Sequence, residues 1–245
     1  MNCTDCTAGL LLRTVHGFRR LTTRLLTTTM LLTLTTALAA PSCEYLDIPT
    51  NLTGYGDWPY TLVDTALMLP ADYEPDDLVP LRQAGFNDDR LIRQVVIDQL
   101  SAMRQAAEDA GNPIEVQSAY RSYAYQEQTF AYWVELEGHE AALSSSARPG
   151  HSEHQLGTAL DFRSLGGAAP WDLEDWADTP AGAWMLENAW KFGFVLSYPK
   201  GSRDVTCYIY EPWHYRYVGT SVARLIHESG LTPREWLWAY NGLSE

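Results

Sequence analysis

An aspartate interrupts an apolar, strand-like run, and its position most constrains how this chain can fold. The run is Ala159-Leu160-Asp161-Phe162. Burying a carboxylate in such a strand costs free energy unless the group is paired or binds a metal ion. An ion pair with Arg163 or Arg148 near the surface is one explanation, and metal coordination is the other.

Histidines at two places in the chain favour the metal explanation. His154 precedes Asp161 by seven residues at a loop–strand junction, so a turn of the loop lets both side chains reach one ion. His214 lies in an aromatic stretch and can supply a third ligand, with Glu211 three residues before it. A β-bulge at Pro212, which cannot donate to a strand ladder, would bring Glu211 and His214 together.

This set of side chains matches the needs of a zinc hydrolase. Catalytic zinc takes three protein ligands and leaves one position for water, and a nearby glutamate then acts as general base. Arg121 follows a predicted strand and precedes a predicted helix, where a fixed positive charge could stabilise an oxyanion. An ordinary surface arginine or an ion pair is the alternative for Arg121. A G-x-S-x-G serine-hydrolase motif is absent from the sequence.

Three stretches of the sequence together resemble a known family. They read "SAYRSYAYQ", "PGHSEHQLGTALDF" and "EPWHYRYVG". In this order they are similar to the signature blocks of VanY-type D-alanyl-D-alanine carboxypeptidases, in the lysostaphin/D-Ala-D-Ala/hedgehog (LAS) metallopeptidase superfamily. The resemblance implies one zinc ion bound by His154, Asp161 and His214, with Glu211 as the base.

The resemblance also implies roles for residues around the metal. Arg121 would bind the scissile carbonyl and stabilise the oxyanion, and Gln126 and Ser152 would contact the substrate. His151 falls outside the ligand set, and we expect it behind the ligands or at the rim of the site.

The implied substrate is the D-Ala-D-Ala end of a peptidoglycan stem peptide, from which the terminal D-Ala is removed. An L,D-carboxypeptidase, a D,D-dipeptidase or a peptidoglycan endopeptidase of the same superfamily is the alternative. A non-catalytic zinc-containing module that binds the cell wall is a further one, although retention of Glu211 argues against it. We expect a monomer.

Apolar periodicity and turn signals predict an α+β fold, because helices and strands mix without a regular βαβ alternation. We expect a small, mostly antiparallel sheet flanked by helices, and the resemblance implies a hedgehog/D-Ala-D-Ala peptidase-like fold. The predicted helices are 91–111, 123–138 (capped by Ser122, with Phe130, Trp133 and Val134 buried), 180–193, 220–228 and 232–240. The predicted strands are 114–120, 157–162, 194–198 and 207–219.

The N-terminal 40 residues have the pattern of a signal peptide. Four arginines precede residues 25–40, which carry no charge, and Ala37–Ala40 offers small residues for cleavage. An uncleaved N-terminal anchor is the alternative. We expect residues 41–85 to form an irregular arm packed on a catalytic domain of residues 86–245. The mature protein would be periplasmic or extracellular and associated with the cell wall.

Charge and cysteines fit an exported protein. The formal net charge of −14 argues against nucleic-acid partners. Cys43 and Cys207 remain after removal of the leader, and we expect one disulfide between them. Two buried free thiols are the alternative.

Overall fold

The computed structural model describes residues 43–52 and 58–243, so the predicted leader at residues 1–40 lies outside the described residues. The fold is α+β and its sheets are mostly antiparallel, as predicted. The strands are β1 (Ile48–Pro49), β2 (Leu67–Met68), β3 (Leu78–Pro80), β4 (Leu91–Arg93), β5 (Ile114–Ser118), β6 (Ala159–Ser164), β7 (Phe194–Leu196) and β8 (His214–Tyr217). The helices are α1 (Ile97–Asp109), α2 (Tyr123–Glu137), α3 (His139–Ser145), α4 (Pro180–Asn188), α5 (Arg203–Thr206), α6 (Thr220–Ser229) and α7 (Pro233–Tyr240).

A four-stranded antiparallel sheet in the order β5-β6-β8-β7 forms the centre of the fold. Side chains alternate between its two faces, as in any strand. Leu160 and Phe162 of β6 and Tyr215 of β8 lie on one face, in the main core cluster with residues of α1 and α4. Asp161 and His214 are direct neighbours across β6 and β8 and share the other face. The buried carboxylate is therefore on a central strand.

Residues 43–52 and 58–85 contain more regular structure than the predicted irregular arm. β1 pairs with β2 in parallel, and β3 pairs with β4 in antiparallel. Leu62 and Leu67 of the segment pack against Leu237, and Val63 and Leu69 pack against Leu156, in two small clusters. Leu81 and Ala84 join the main core.

A disulfide and ion pairs fasten this N-terminal segment to the rest of the protein. Cys43 and Cys207 form the expected disulfide, with their Cα atoms 5.3 Å apart. Arg148 lies 2.6 Å from Asp47, and Arg234 lies 2.7 Å from Asp64. These contacts hold the segment against the face of the sheet that carries Asp161.

Two predicted elements were wrong in extent. The helix expected from Leu91 begins only at Ile97, because Leu91–Arg93 pairs with Leu78–Pro80 as a strand and a 3-10 turn follows. The strand expected over residues 207–219 covers only His214–Tyr217, because a helical turn ends at Cys207 in a left-handed conformation (φ 68°).

Helix α2 is less buried than predicted. Ser122 caps it as expected, accepting a hydrogen bond from the backbone N–H of Tyr125. Phe130, Trp133 and Val134 are only half-buried, and Gln126 is the buried residue of this helix. Within the described ranges, no helix combines the length and apolar character needed to cross a membrane.

Candidate metal centre and active site

Three potential metal ligands converge on one face of the sheet. Asp161 and His214 lie opposite each other on β6 and β8, and His154 comes from a short 3-10 turn, Glu153–Leu156, that immediately precedes β6. Each of the three side chains offers one nitrogen or oxygen atom to a metal ion, and these three atoms lie within 4.8 Å of one another. The structure thus brings together the three residues predicted as ligands.

The hydrogen bonding of His154 leaves one ring nitrogen available. Its Nδ1 donates to the carbonyl oxygen of Ala119 at 2.7 Å. Its Nε2 is buried, lies 3.3 Å from Oδ2 of Asp161 and has no hydrogen-bond partner among the described residues. Burial and the charge of Arg121 lower the pKa of His154 to about 4. The ring is therefore neutral at pH 7, with its Nε2 lone pair free for a cation.

His214 is held between two carboxylates. Its Nδ1 lies 3.1 Å from Oδ1 of Asp161, and its Nε2 lies 2.9 Å from Oε2 of Glu153. Burial opposes a charge on the ring, but the hydrogen bonds to Asp161 and Glu153 outweigh it and raise the pKa of His214 to about 10. A cation that binds at Nδ1 must displace a proton, so metal affinity should depend on pH.

The donor set fits zinc. Two imidazole nitrogens and one carboxylate oxygen are ligands of the kind found in three-residue catalytic zinc sites. The alternative explanation for Asp161 is wrong, because Arg163 pairs with Glu115 and Arg148 pairs with Asp47. Burial alone would raise the pKa of Asp161, but His154 and His214 hold it well below its ordinary value. The carboxylate is therefore ionised and able to bind a cation.

Glu211 lies beside the three ligands. A turn over Pro212 and Trp213, rather than the predicted bulge, brings Glu211 back toward His214, and Oε2 of Glu211 is 3.8 Å from Nδ1 of His214. The side chains of the ligands are at most 8% exposed, whereas that of Glu211 is 14% exposed. The cluster therefore meets solvent on the side of Glu211.

The environment of Glu211 suits a general base. Burial raises its pKa to about 7, and the charge of Asp161 acts in the same direction, while His214 and Arg121 oppose the shift. A base is most effective when its pKa is near the working pH.

Arg121 also lies at this site. Its backbone N–H donates to the carbonyl oxygen of His154 at 3.3 Å. Its positive charge lowers the pKa of both His154 and Glu211, which indicates that the guanidinium is close to them. The buried Nε–H of Arg121 has no hydrogen-bond partner in the described part of the chain, so it can donate a hydrogen bond to a ligand.

The other predicted residues have structural partners. Ser152 is buried and caps the 3-10 turn, accepting from the backbone N–H of His154 at 3.3 Å. The amide nitrogen of Gln126 donates to the carbonyl oxygen of Ala147 at 2.7 Å. Substrate contact by either residue stays a prediction. His151 is buried, and its ring nitrogens bond to Asp47 and to the carbonyl oxygen of Asp64, so it anchors the N-terminal segment.

Sequence reasoning missed Glu153, although it is adjacent to His154. Its side chain is buried and bonds to His214. Burial would raise the pKa of Glu153, but the hydrogen bond from His214 and the charge of Arg216 lower it to about 2. The local signal was a second acidic side chain, besides Asp161, inside the stretch that supplies two of the predicted ligands.

Comparison with known proteins gives a family match over the segment that contains the site. Residues 89–220 match the family model of VanY, D-alanyl-D-alanine carboxypeptidase. A curated relative, "Putative carboxypeptidase YodJ" of Bacillus subtilis, is 40% identical over 71% of this chain. The chain spans 65% of that relative's length, just under two thirds.

Two solved structures are similar in fold and sequence. The LdcB LD-carboxypeptidase is 34% identical with a TM-score of 0.65, over 79% of this chain and 97% of its own. The vancomycin resistance D,D-pentapeptidase VanY, in complex with Zn(II), is 30% identical with a TM-score of 0.62, over 74% of this chain and 99% of its own.

Proposed function

Since the chain belongs to the VanY family of D-alanyl-D-alanine carboxypeptidases, we propose that it is a zinc-dependent carboxypeptidase. Its substrate would be a peptidoglycan stem peptide that ends in D-Ala-D-Ala, and the product would lack the terminal D-Ala. The observation that carries the proposal is the convergence of His154, Asp161 and His214 beside Glu211.

Each group has a role in peptide hydrolysis. One zinc ion, held by His154, Asp161 and His214, would supply a Lewis acid that acidifies water and polarises the scissile carbonyl. Glu211 accepts a proton from the attacking water and delivers it to the leaving amine. Arg121 donates hydrogen bonds to the oxygen on which negative charge develops. Ser152 and Gln126 would contact the substrate beside these groups.

The substrate implies a location outside the cytoplasmic membrane. Peptidoglycan stem peptides are found in that compartment. The predicted leader at residues 1–40 and the Cys43–Cys207 disulfide are consistent with export. We therefore propose a periplasmic or extracellular protein associated with the cell wall.

Removal of D-Ala from an L,D-bond is the second candidate function. The similarity to the LdcB LD-carboxypeptidase, at 34% identity and with 97% of that chain covered, is the specific observation in its favour. The metal centre would serve either reaction, so the walls of the substrate pocket would decide between them.

Purified protein incubated with stem peptides tests both candidates. With zinc, a pentapeptide ending in D-Ala-D-Ala should lose one D-Ala, as measured by mass spectrometry, and a chelator should stop the reaction. Loss of D-Ala only from a tetrapeptide would identify the L,D-activity, and release of the D-Ala-D-Ala dipeptide would identify a dipeptidase. Zinc-loaded protein that releases nothing from either peptide would contradict the proposal.

The Glu211→Gln variant is the matched control for this assay. It keeps the shape of the side chain and removes its ability to accept a proton. We expect zinc to bind and turnover to be abolished. A Glu211→Gln variant that remains active would refute the role of Glu211 as the base.

A further inference from the structure

The buried carboxylate of Glu153 is the centre of a hydrogen-bond network behind the metal site. Its Oε2 accepts from Nε2 of His214 at 2.9 Å and from Oγ of Ser197 at 2.6 Å. Its Oε1 accepts from Nη1 of Arg216 at 3.1 Å. Glu153 is 5% exposed and Arg216 is fully buried, so water does not replace these contacts. The carboxylate is thus fixed by three donors from β8 and the residue after β7.

The N-terminal segment completes this network through Arg216. The second amino group of the guanidinium, Nη2, donates to the carbonyl oxygens of Trp58 at 2.9 Å and Thr61 at 2.6 Å. A buried ion pair offsets more of its desolvation cost when its other hydrogen-bonding groups also have partners; Nη2 of Arg216 has these two, whereas Nε has none among the described residues. Two carbonyls of the N-terminal segment therefore hold the arginine that holds Glu153.

We propose that Glu153 is a positioning residue for the metal site and that the N-terminal segment supports it through Arg216. The Glu153 carboxylate fixes the orientation of the His214 ring, so that Nε2 carries the proton and Nδ1 faces Asp161. A histidine ligand that donates its other N–H to a carboxylate is also a stronger donor to the metal. The inference rests on the proposed metal site, but it does not depend on which peptide bond is cleaved.

Loss of this contact should be measurable as weaker metal binding. Changes to the partners of metal-binding histidines typically cost about 10–100-fold in metal affinity or activity. Glu153→Gln keeps the size of the side chain but removes the charge, and its NH₂ group cannot accept from Arg216 or His214. We expect its zinc affinity to fall by about 10–100-fold.

Glu115→Gln is a suitable matched control. Glu115 pairs with Arg163 at 3.1 Å on the same sheet, which equals the distance between Glu153 and Arg216. Glu115 is half-buried, and its ion pair with Arg163 and its hydrogen bond from the backbone N–H of Gly166 involve none of the three proposed ligands. We expect its zinc affinity to equal that of the wild type.

The experiment measures zinc affinity by competition with a chromophoric chelator, and the visible absorption spectrum of the Co²⁺-loaded protein reports the geometry of the ligands. Glu153→Gln should bind zinc more weakly and change the cobalt spectrum, while circular dichroism stays as in the wild type. Where turnover is measured, kcat should fall and KM should stay unchanged. A folded Glu153→Gln protein with wild-type zinc affinity and cobalt spectrum would overturn the inference.

Two further variants keep the inference open to refutation. If Glu153→Gln does not fold, Ser197→Ala removes a single hydrogen bond to the same carboxylate, and an unchanged cobalt spectrum would then overturn the positioning role.

Arg216→Lys keeps the charge, but a lysine side chain cannot reach Glu153 and both carbonyl oxygens of the N-terminal segment at once. Wild-type zinc affinity in Arg216→Lys would refute the role of that segment. Because these readouts need no substrate, a zinc-binding protein without peptidase activity would refute only the proposed function.

Discussion

Replacing Glu211, the proposed general base, should make the metal-free protein more stable at alkaline pH. Burial raises the pKa of Glu211 from its ordinary value of 4.5 to about 7. Below pH 4.5 the carboxyl group is protonated in both the folded and the unfolded chain, and it causes no loss of stability. Between pH 4.5 and 7 the unfolded chain releases this proton while the folded protein retains it, so stability falls as pH rises.

The size of the effect follows from the two pKa values. One pKa unit corresponds to about 1.4 kcal/mol, so the interval from 4.5 to about 7 corresponds to at most about 3 kcal/mol above pH 7. Glutamine has almost the same shape and does not titrate. The Glu211→Gln variant should therefore gain up to about 3 kcal/mol over the wild type at pH 8 and much less at pH 5.

Urea unfolding with an excess of chelator, followed by circular dichroism at pH 5 and pH 8, measures this difference. When zinc is present the difference should shrink, because a nearby cation stabilises the carboxylate. If the wild type and Glu211→Gln differ by the same free energy at both pH values in chelator, the reasoning about burial of Glu211 is wrong.

Other variants test separate parts of the structure. His154→Ala removes one of three ligands and should lose zinc, as measured by metal analysis of the purified protein. Arg121→Met should retain zinc but lower kcat by about 10²-fold, because it removes a donor to the oxyanion; an unchanged kcat would exclude that role. Cys43→Ser opens a loop with a sequence separation of 164 residues and should lower the free energy of unfolding by about 2–5 kcal/mol. Unfolding of the wild type with a reductant should reproduce that loss, and equal stability of all three samples would contradict it.

The proposed ligands Asp161 and His154 could be predicted from sequence because the argument for them was local. A carboxylate inside an apolar strand needs a partner wherever the strand lies, and the neighbouring histidines supply one. The role of Glu153 could not be predicted in this way, because it depends on Arg216, which is 63 residues away in the sequence. Only the register of β6 and β8 brings them together.

The errors in secondary structure have the same origin. Leu91 and Ile92 have the spacing of the following helix, but their pairing with Pro80 and Val79 makes them a strand. The aromatic residues of 207–213 favour a strand by composition, yet the chain turns there and places Glu211 beside His214. Contacts distant in sequence overrode local preference in both segments: β4 pairs with β3, and the backbone N–H groups of Ile209 and Glu211 donate to the carbonyl oxygens of Ser144 and Tyr198 instead of to a neighbouring strand.

The register of β6 against β8 determines where the sequence can vary without loss of the site. Asp161 and His214 face the proposed metal site because they are paired, and a slip of one residue would turn either of them into the apolar core. An insertion within these strands should therefore destroy the centre. In the 165–213 connection between them, the loops outside α4, β7, the disulfide at Cys207 and the final turn can change length while both ends stay paired. New substrate preferences could thus arise in this connection while the chemistry stays the same.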